Sequence, residues 1–540
     1  MIRAVCTTLV AIAVLGTGAC AQRSPVAHAG ERNPWTIPGT LRVGMDEEPD
    51  SLNPLFSHSA SSDVIAGLVY SFLLRYDRTG NYVPDLATEV PTVGNGGISR
   101  DGTTIVVHLR KNARWADGQP LTAADWLFTY RAVLNPHNNV KSRYGWDALA
   151  GATAPDPATI VMHLRRPSAS VLGILAIGTG YPPLPAHLLR GLADLNRAAV
   201  NDMPVSSGPY VLKAWNRGTS LEFAPNPAYF RGAPQLQRLT YSIVPDVNTL
   251  LNQLRTHDID VYPNVDANSV ARLSAIDGIV VKRQLLANWH HLGLNVSRPN
   301  LRDVRVRRAI ALAVDWNRIE RTVYHGLDRL AVSDIFPESW AAPSLPAYVY
   351  QPALAAGLLD DAGWRTGAGG KRFRNGAPLT LTISATVGHQ ENEEAEVLLQ
   401  SMLGNSGFDI RVRNYPANLF FAQNGPLYTG KYDMEWSIDT NGPDPDNSGS
   451  WNGAFIPPNG ANTSWLDDPI VNATSTAAER TFDRATRKAL YQREEQRLRD
   501  LVPAVFFSWE GGYAAMNADV KNYIPAAFIG DTWNAWEWKV

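Results

Sequence analysis

The chain has 540 residues, more than one hydrophobic core usually serves, so two or three lobes with a cleft between them are expected. With 45% hydrophobic and 19% charged residues the composition is globular, and a formal charge of -2 provides neither a basic surface for nucleic acid nor an acidic tail. Sixteen Trp and nineteen Tyr suit a receptor that stacks on its ligand, although most aromatic residues serve a core.

The N-terminus has the pattern of an export signal. Arg3 precedes an apolar run over residues 4–15, which is too short to span a membrane, and small residues then lead to Cys20. The pattern resembles a bacterial lipoprotein signal. We therefore predict a signal peptide of lipoprotein type at residues 1–19 and a flexible tether at residues 20–32.

Lipid attachment is expected at Cys20, which would anchor the protein outside the cytoplasm to the cell membrane, in the periplasm or at the cell surface. Thr17 stands where a lipoprotein signal prefers Leu, so export is indicated more strongly than lipidation. Cys6 and Cys20 are the two cysteines of the chain, so the mature protein is expected to have no internal disulfide.

Strands and helices alternate from Leu41 onward, beginning with a strand and an apolar helix over residues 64–74. Two nearly identical segments, TIVVHLR at 104–110 and TIVMHLR at 159–165, are predicted to form strands that pair or lie close together. Their histidines, His108 and His163, are interpreted as ordinary polar residues of a strand face, because no third metal ligand occurs at a recognisable spacing.

Several helix starts and one parallel unit can be predicted from local patterns. Thr122 and Asp125 form a capping box, and Asp303 and Asp315 each precede a helix. A strand over residues 379–384, a helix over 391–403 and a strand over 408–414 make a β-α-β succession, which favours a parallel sheet. A helix over 482–500 and a strand over 504–509 repeat the alternation.

The segment KYDMEWSIDTNGPDPDNSGSW at residues 431–451 places acidic residues after a short strand. Trp436, Ser437 and Ile438 lead to Asp439, and the chain then turns through Gly and Pro residues. A carboxylate at a strand end, flanked by indoles, suits a cationic group of a ligand. The alternative is that Asp439 and the two acids that follow, at positions 444 and 446, only cap turns.

The sequence contains none of the common catalytic motifs. GxSxG, HExxH and the phosphate-binding glycine loops are missing, and the mature body has no cysteine nucleophile. The adjacent His290 and His291 lie on a predicted strand, so their rings should point to opposite faces. We predict a binding protein without cofactor or metal. A secreted glycoside hydrolase that uses two distant carboxylates stays open as an alternative.

Seven segments together resemble the extracytoplasmic solute-binding proteins of peptide and nickel ABC importers, also called family 5. They occur in the family's order over almost the whole mature chain, and they are SLNP (51–54), LRKNARWADGQPLTAADWLFTYRAVLNP (109–136), SSGPYVLKAW with APNPAYFRG (206–232), LNVSRPNLRDVRVRRAIALAVD (294–315), ALAAGLLDDAGW (353–364), WSIDTNGPDPDN (436–447) and RKALYQREEQRLRDLVPAVFF (487–507).

The resemblance implies an α/β fold with two lobes that close on a ligand, the large periplasmic-binding-protein fold of class II or cluster C. A further subdomain is inserted in lobe I. Lobe I is expected at 33–78, 203–286 and 501–540, the inserted subdomain at 79–202, and lobe II at 287–500. The chain would cross between the lobes near Leu286 and near Asp500.

The resemblance also implies how the ligand is held. An extended peptide would be bound by main-chain hydrogen bonds like an added strand, with its N-terminal ammonium paired with an acid three residues after a Trp. Asp439 after Trp436 matches that position, and Asp444 is the rival. The residues expected at the ligand are Trp436, Ser437, Ile438, Asp439, Asp444, Trp451, Asn53 and Trp289.

The function implied is capture of oligopeptides and their delivery to an ABC permease and ATPase complex. The protein is expected to act as a monomer, tied to the membrane through its lipid. Within the same scaffold the solute could instead be a dipeptide, a nickel chelate, haem or an oligosaccharide.

Overall fold

The computed structural model describes residues 32–528 and 530–540. The predicted signal peptide, Cys20 and all but the last residue of the predicted tether lie outside the described residues. In the described part of the chain, no helix is long and apolar enough to cross a membrane.

The strands vary from two to sixteen residues and are, in chain order, β1 Thr40–Met45, β2 Leu74–Tyr76, β3 Tyr82–Pro84, β4 Thr104–His108, β5 Leu149–Asp156, β6 Thr159–Leu164, β7 Tyr210–Asn216, β8 Ser220–Pro225, β9 Arg238–Ile243, β10 Val261–Val265, β11 Ile279–Leu294, β12 Arg329–Leu330, β13 Arg365–Thr366, β14 Arg372–Arg374, β15 Ala377–Pro378, β16 Thr380–Ser384, β17 Asp409–Val412, β18 Met434–Thr440 and β19 Ala504–Asn517.

The α-helices are α1 Ala60–Val69, α2 Ala123–Leu134, α3 Ala186–Leu189, α4 Val247–Arg255, α5 Ala267–Ser274, α6 Val304–Ala313, α7 Trp316–Val323, α8 Pro352–Asp361, α9 Gln390–Asn405, α10 Ala417–Phe420, α11 Ser448–Trp451, α12 Pro469–Glu479 and α13 Arg484–Leu501.

One mixed sheet of eleven strands runs through the molecule. Its order is β17-β16-β18-β11-β19-β10-β1-β9-β8-β7, with β12 added beside β19. Strand β1 is parallel to β9 and β10, and β16 is parallel to β17 and β18. The predicted β-α-β unit is confirmed, since β16, α9 and β17 follow one another and the two strands are parallel. The predicted α/β class is confirmed by this alternation.

Two long antiparallel strands, β11 and β19, join the two ends of this sheet. Their pairing extends from Ile279 opposite Asn517 to Gly293 opposite Ala504, with a shift of register between Leu285 and Trp289. Strand β19 is longer than the predicted 504–509, because its second half also pairs with β10. A local pattern does not reveal this extension, since the added partner comes from a distant part of the chain.

Buried apolar residues form separate cores on the two sides of these strands. Val43, Trp126 and Trp538 belong to one large cluster, which takes in both predicted lobe I and the predicted inserted subdomain. Trp436 and Phe507 belong to a second cluster around β16, β18 and α9. Burial of such side chains at about 25 cal/mol per Å² of apolar area is the main stabilising term.

The predicted pairing of the two TIVxHLR segments is confirmed. They form β4 and β6 in a small antiparallel sheet, where His108 lies opposite Thr159 and His163 lies opposite Thr104. The two histidines therefore stand at opposite ends of the ladder, each near a threonine hydroxyl, at 3.4 Å for His108 and 3.3 Å for His163.

The predicted capping residues are confirmed at three helices. Thr122 and Asp125 form the capping box of α2. Asp303 accepts a hydrogen bond from the backbone N–H of Arg305, and Asp315 accepts one from that of Arg318. Each carboxylate satisfies a donor that has no partner within its helix.

The predicted helix over residues 64–74 is wrong at its end. Helix α1 stops at Val69, and Tyr70 is already extended. Ser71 donates two hydrogen bonds to Ser207, from its backbone N–H to Oγ at 3.0 Å and from its hydroxyl to the backbone carbonyl at 2.9 Å, and these draw the chain away from the helix axis. A partner 136 residues away therefore overrides the local apolar pattern.

Candidate functional site

A cavity of about 690 Å³ lies between the two halves of the molecule. One wall comes from the N-terminal half and the other from the loop after β18 and from α12. The residues that line it are Tyr76, Ser142, Tyr144, Gly145, Trp146, Asp147, Ala148, Arg165, Arg166, Ser168, Ser170, Gly173, Ile174, Thr179, Tyr181, Gly442, Asp444, Asp446, Ser448, Phe455 and Glu479.

Two smaller cavities share walls with this one. A cavity of about 370 Å³ has Ser142, Thr179 and Tyr181 in common with it, and a cavity of about 190 Å³ has Asp444 in common with it. The three cavities together form an extended cleft, which we call the interlobe cleft.

The two halves touch across the interlobe cleft. The backbone N–H of Ala169 donates to the carbonyl of Glu479 at 2.6 Å, and Arg484 donates to the side chain of Asn81. Phe336 and Phe528 meet edge to face with ring centroids 4.7 Å apart. The two halves are therefore in direct contact on either side of the cleft.

Strand β18 ends beside the loop that lines the cleft. Its first residues are buried, including Trp436, which is 1% exposed and packs on Phe507 with ring centroids 5.3 Å apart. Towards its end the strand opens to solvent, with Ser437 half-buried and Ile438 43% exposed. Burial therefore decreases along the strand: its first residues lie in the second core, and its last residues are accessible.

Asp439 lies at this accessible end, with its side chain 56% exposed. It sits opposite Trp289 in the β11–β18 ladder, on the sheet face that also carries His291. The Nε2 atom of His291 is 4.0 Å from Asp439 Oδ2 and 3.9 Å from Glu435 Oε1. Asp439 is thus an exposed carboxylate that faces the imidazole ring of His291.

The two neighbouring histidines point to opposite faces, as predicted. Burial among aromatic rings lowers the pKa of His290 to about 3. Burial alone would lower the pKa of His291 too, but the carboxylates of Glu435 and Asp439 outweigh it, and this pKa is raised.

Asp444, the alternative candidate for binding the ligand's ammonium group, is paired with a buried arginine of the protein. Arg487 forms a bidentate pair with it, at 3.1 and 2.7 Å, and also donates to Tyr491 Oη at 3.0 Å. Only 7% of the Arg487 side chain and 14% of the Asp444 side chain are exposed. The carboxylate partner raises the pKa of Arg487 despite its burial, so the guanidinium stays charged.

Asp444 is the one predicted ligand residue in the lining of the three cavities, and residues 436–439, Trp289, Trp451 and Asn53 lie outside that lining. Trp289 is 1% exposed, and its indole N–H donates to Asn441 Oδ1 at 3.1 Å. Trp451 is 5% exposed and donates to Asp334 Oδ2 at 2.7 Å. Both indoles tie the loop after β18 to the body of the protein.

Asn53 is 1% exposed and belongs to a polar cluster of the N-terminal half. Its side-chain amide donates to Asn201 Oδ1 at 2.8 Å, and its Oδ1 accepts from the backbone N–H of Leu55 at 3.1 Å. The structure does not bring Asn53 to the lining of the interlobe cleft.

Two cleft residues were not singled out from the sequence as site residues. Tyr144 is 78% exposed although it lines the cavity, and Asp446 lines it two residues after Asp444. The sequence signal for Asp446 is weak, because an Asp in a Pro- and Gly-rich turn usually caps that turn. Tyr144 carries no local signal that distinguishes it from a core tyrosine.

In the described residues no group of three or more His, Cys, Asp or Glu side chains is placed to hold a metal ion.

Comparison with known proteins gives one family model, described as Bacterial extracellular solute-binding proteins, family 5 Middle, which matches residues 81–460. The oligopeptide-binding protein AppA of Bacillus subtilis is 26% identical over 495 residues, covering 90% of this chain and 89% of AppA.

Two solved structures resemble the fold. NikZ from Campylobacter jejuni, in complex with Ni(L-His), has a TM-score of 0.73 and 25% identity over 94% of this chain and 100% of that one. HbpA2 from Haemophilus parasuis has a TM-score of 0.81 and 22% identity over 91% of this chain and 98% of that one. These likenesses confirm the predicted two-lobe periplasmic-binding-protein fold.

Proposed function

Because this chain belongs to the bacterial extracellular solute-binding proteins of family 5, we propose that it captures oligopeptides in the interlobe cleft and delivers them to an ABC permease and ATPase complex. Family membership also confirms the prediction of a binding protein, and it overrides the glycoside hydrolase alternative. The family is established by the comparison, and the identity of the ligand as a peptide is our proposal.

The observation that carries this proposal is a free strand edge at the end of β18. Strand β16 pairs only with the beginning of β18, and its last residue, Ser384, lies opposite Glu435. Beyond that point, residues 436–440 pair with β11 on one side, and no described strand pairs with them on the other. An extended peptide can add to such an edge through main-chain hydrogen bonds, which supply affinity without demanding a sequence.

The shape of the interlobe cleft supports a ligand of several residues. Its central cavity of about 690 Å³ adjoins a second cavity of about 370 Å³, and the two share three lining residues. One relative, AppA, is named an oligopeptide-binding protein. The structure of another similar protein, NikZ, contains Ni(L-His). A nickel chelate is therefore the alternative ligand, and finding one bound would replace the peptide in this proposal.

Within this mode, Ser437 and Ile438 offer backbone groups to the peptide, and Asp439 pairs with its N-terminal ammonium. Asp439 is preferred to Asp444 because Arg487 already neutralises Asp444. Trp436, Trp451, Trp289 and Asn53 act as buried supports of the fold around the ligand. Trp436 does so by packing, and the other three also by the hydrogen bonds described above.

The Asp439→Asn substitution should lower peptide affinity by about tenfold or more, because a charge-assisted hydrogen bond contributes roughly 1.5–3 kcal/mol and about 1.4 kcal/mol is one decade. Calorimetric titration with an alanine pentapeptide measures it. Asp202→Asn, at a carboxylate that is 59% exposed in a surface pair with Arg217, is the control and should leave affinity unchanged. Equal affinities for the wild type and Asp439→Asn would remove Asp439 from the site.

The lobe boundaries follow from the same proposal. Lobe I comprises 33–78, 203–286 and 501–540, the inserted subdomain 79–202, and lobe II 287–500. The strand pairing favours a first crossing near Leu286, where the β11–β19 register shifts. It favours a second crossing near Glu510, opposite that shift, which would move the last boundary between lobe II and lobe I from residue 500 towards residue 510.

Outside the cell, the proposed state is a monomer anchored by a lipid on Cys20. Globomycin-sensitive processing of the precursor and labelling of the mature chain with a palmitate analogue would test the anchor. Replacement of Cys20 by Ser should abolish the labelling.

A further inference from the structure

We propose that the interlobe cleft binds a basic side chain of the ligand, held over the ring of Tyr144 and against the carboxylates of Asp446 and Glu479. This inference rests on the proposed function and adds to it a preference for peptides that contain Lys or Arg. The subsite is distinct from Asp439, which is not among the residues that line this cavity.

Tyr144 supplies an aromatic face that the protein itself does not cover. It is 78% exposed, whereas the other aromatic residues of the same cavity are packed into the protein, with Trp146 at 1% and Tyr181 at 6% exposed. An open tyrosine ring inside a cleft attracts an ammonium or guanidinium group through its negative face.

The cavity carries slightly more negative than positive charge. Its lining includes four acids, Asp147, Asp444, Asp446 and Glu479, and two bases, Arg165 and Arg166. Because Arg487 neutralises Asp444, three acids stand against two bases. Arg166 reaches Glu479 only at 3.5 Å and its side chain is 58% exposed, so solvent screens that pair strongly.

Asp446 forms no salt bridge with a described residue. Its Oδ1 accepts a hydrogen bond from the backbone N–H of Ser448 at 3.2 Å. Its own N–H donates to Asp444 Oδ1 at 3.1 Å, which brings a second carboxylate close. Burial and Asp444 raise the pKa of Asp446 although Arg487 lowers it, and burial raises the pKa of Glu479 although Arg166 lowers it.

Trp146 also lines the cavity, and the residue as a whole is 1% exposed. No hydrogen bond joins its indole N–H to another described residue, so a peptide carbonyl in the cavity can accept one from it.

The test is calorimetric titration of the full mature protein with two series of alanine pentapeptides. One series carries Lys at each position in turn, and the other carries the neutral isostere norleucine. Both are also made with acetylated N-termini, which separates a side-chain charge from the terminal ammonium. We expect at least one position where Lys binds at least tenfold more tightly than norleucine, with and without acetylation.

The variants Asp446→Asn and Tyr144→Ala should each reduce this Lys preference by about fivefold or more, measured in each variant as the ratio of the Lys affinity to the norleucine affinity. Tyr144→Phe, which keeps the ring, and Tyr350→Ala, at a tyrosine that is 48% exposed outside the three cavities, should preserve the preference. Asn can still accept the hydrogen bond from Ser448, so Asp446→Asn isolates the charge.

Equal binding of Lys and norleucine peptides at every position would overturn the subsite and leave the peptide function standing. A preference that disappears on acetylation would overturn it as well, because the charge would then be the terminal ammonium. Failure of every peptide to bind would contradict both the subsite and the proposed function.

Discussion

The Arg487→Met variant is expected to lose about 3–5 kcal/mol of unfolding free energy, the usual cost of leaving one partner of a buried ion pair alone. Arg487 makes two hydrogen bonds to Asp444, and it also donates to Tyr491 and to the carbonyl of Ala478 at 3.1 Å. Met keeps much of the apolar stem, so the loss reports mainly on the unpaired carboxylate. Urea-induced unfolding followed by tryptophan fluorescence measures it.

Two controls make this result specific. Arg365→Met removes an arginine that is 72% exposed and lies 3.5 Å from Asp360, so it should cost less than about 1 kcal/mol. The double variant Arg487→Met with Asp444→Asn should recover part of the loss, because it no longer buries an unpaired charge. If Arg487→Met were as stable as Arg365→Met, the pair would not hold the cleft loop.

Stability should also fall as pH rises, because three carboxyl groups are buried together behind the cleft loop. Asp334, Glu494 and Glu495 are 1%, 0% and 0% exposed. Asn447 donates to Glu495 at 2.9 Å and Trp451 donates to Asp334 at 2.7 Å, but neither oxygen of Glu494 has a partner among the described residues. An ionised carboxylate without partners is costly at such a place.

Burial, with the nearby carboxylates of Asp334 and Asp446, raises the pKa of Glu494 well above its usual value. The folded state therefore favours the protonated acid. This contribution to stability is fully present below the unfolded pKa of about 4.3 and is lost as pH rises through the raised folded pKa. Each unit of the shift corresponds to about 1.4 kcal/mol.

The Glu494→Gln variant should therefore unfold with a weaker pH dependence between about pH 3.5 and 9. It should match the wild type at the acid end, below the unfolded pKa, and exceed it by about 1.4 kcal/mol or more at the alkaline end. Glu89→Gln, at an exposed glutamate, is the matched control and should follow the wild type at every pH. Parallel curves for the wild type and Glu494→Gln would show that Glu494 titrates as an ordinary surface acid.

Local patterns in the sequence were sufficient to predict the elements that depend on neighbours in the chain. The caps at Asp303 and Asp315 follow from one carboxylate and the helix beside it. The pairing of the two TIVxHLR segments follows from their matching apolar pattern. The family order of seven segments extended these local predictions to a two-lobe fold.

The cleft could not be predicted in the same way, because its walls come from opposite ends of the sequence. Tyr144 is exposed inside a cavity only because the loop after β18 stands across from it. Asp444 and Asp446 look alike in the sequence, and Arg487 on α13 decides which of them is neutralised. Such distinctions depend on tertiary contacts that no spacing rule contains.

Mass spectrometry of the small molecules released when the purified protein is denatured tests the central claim most directly. The proposed function predicts a mixture of peptides of varied sequence and length, and the cation subsite predicts that Lys and Arg are enriched among them. A nickel chelate or an oligosaccharide released in place of peptides would contradict the claim.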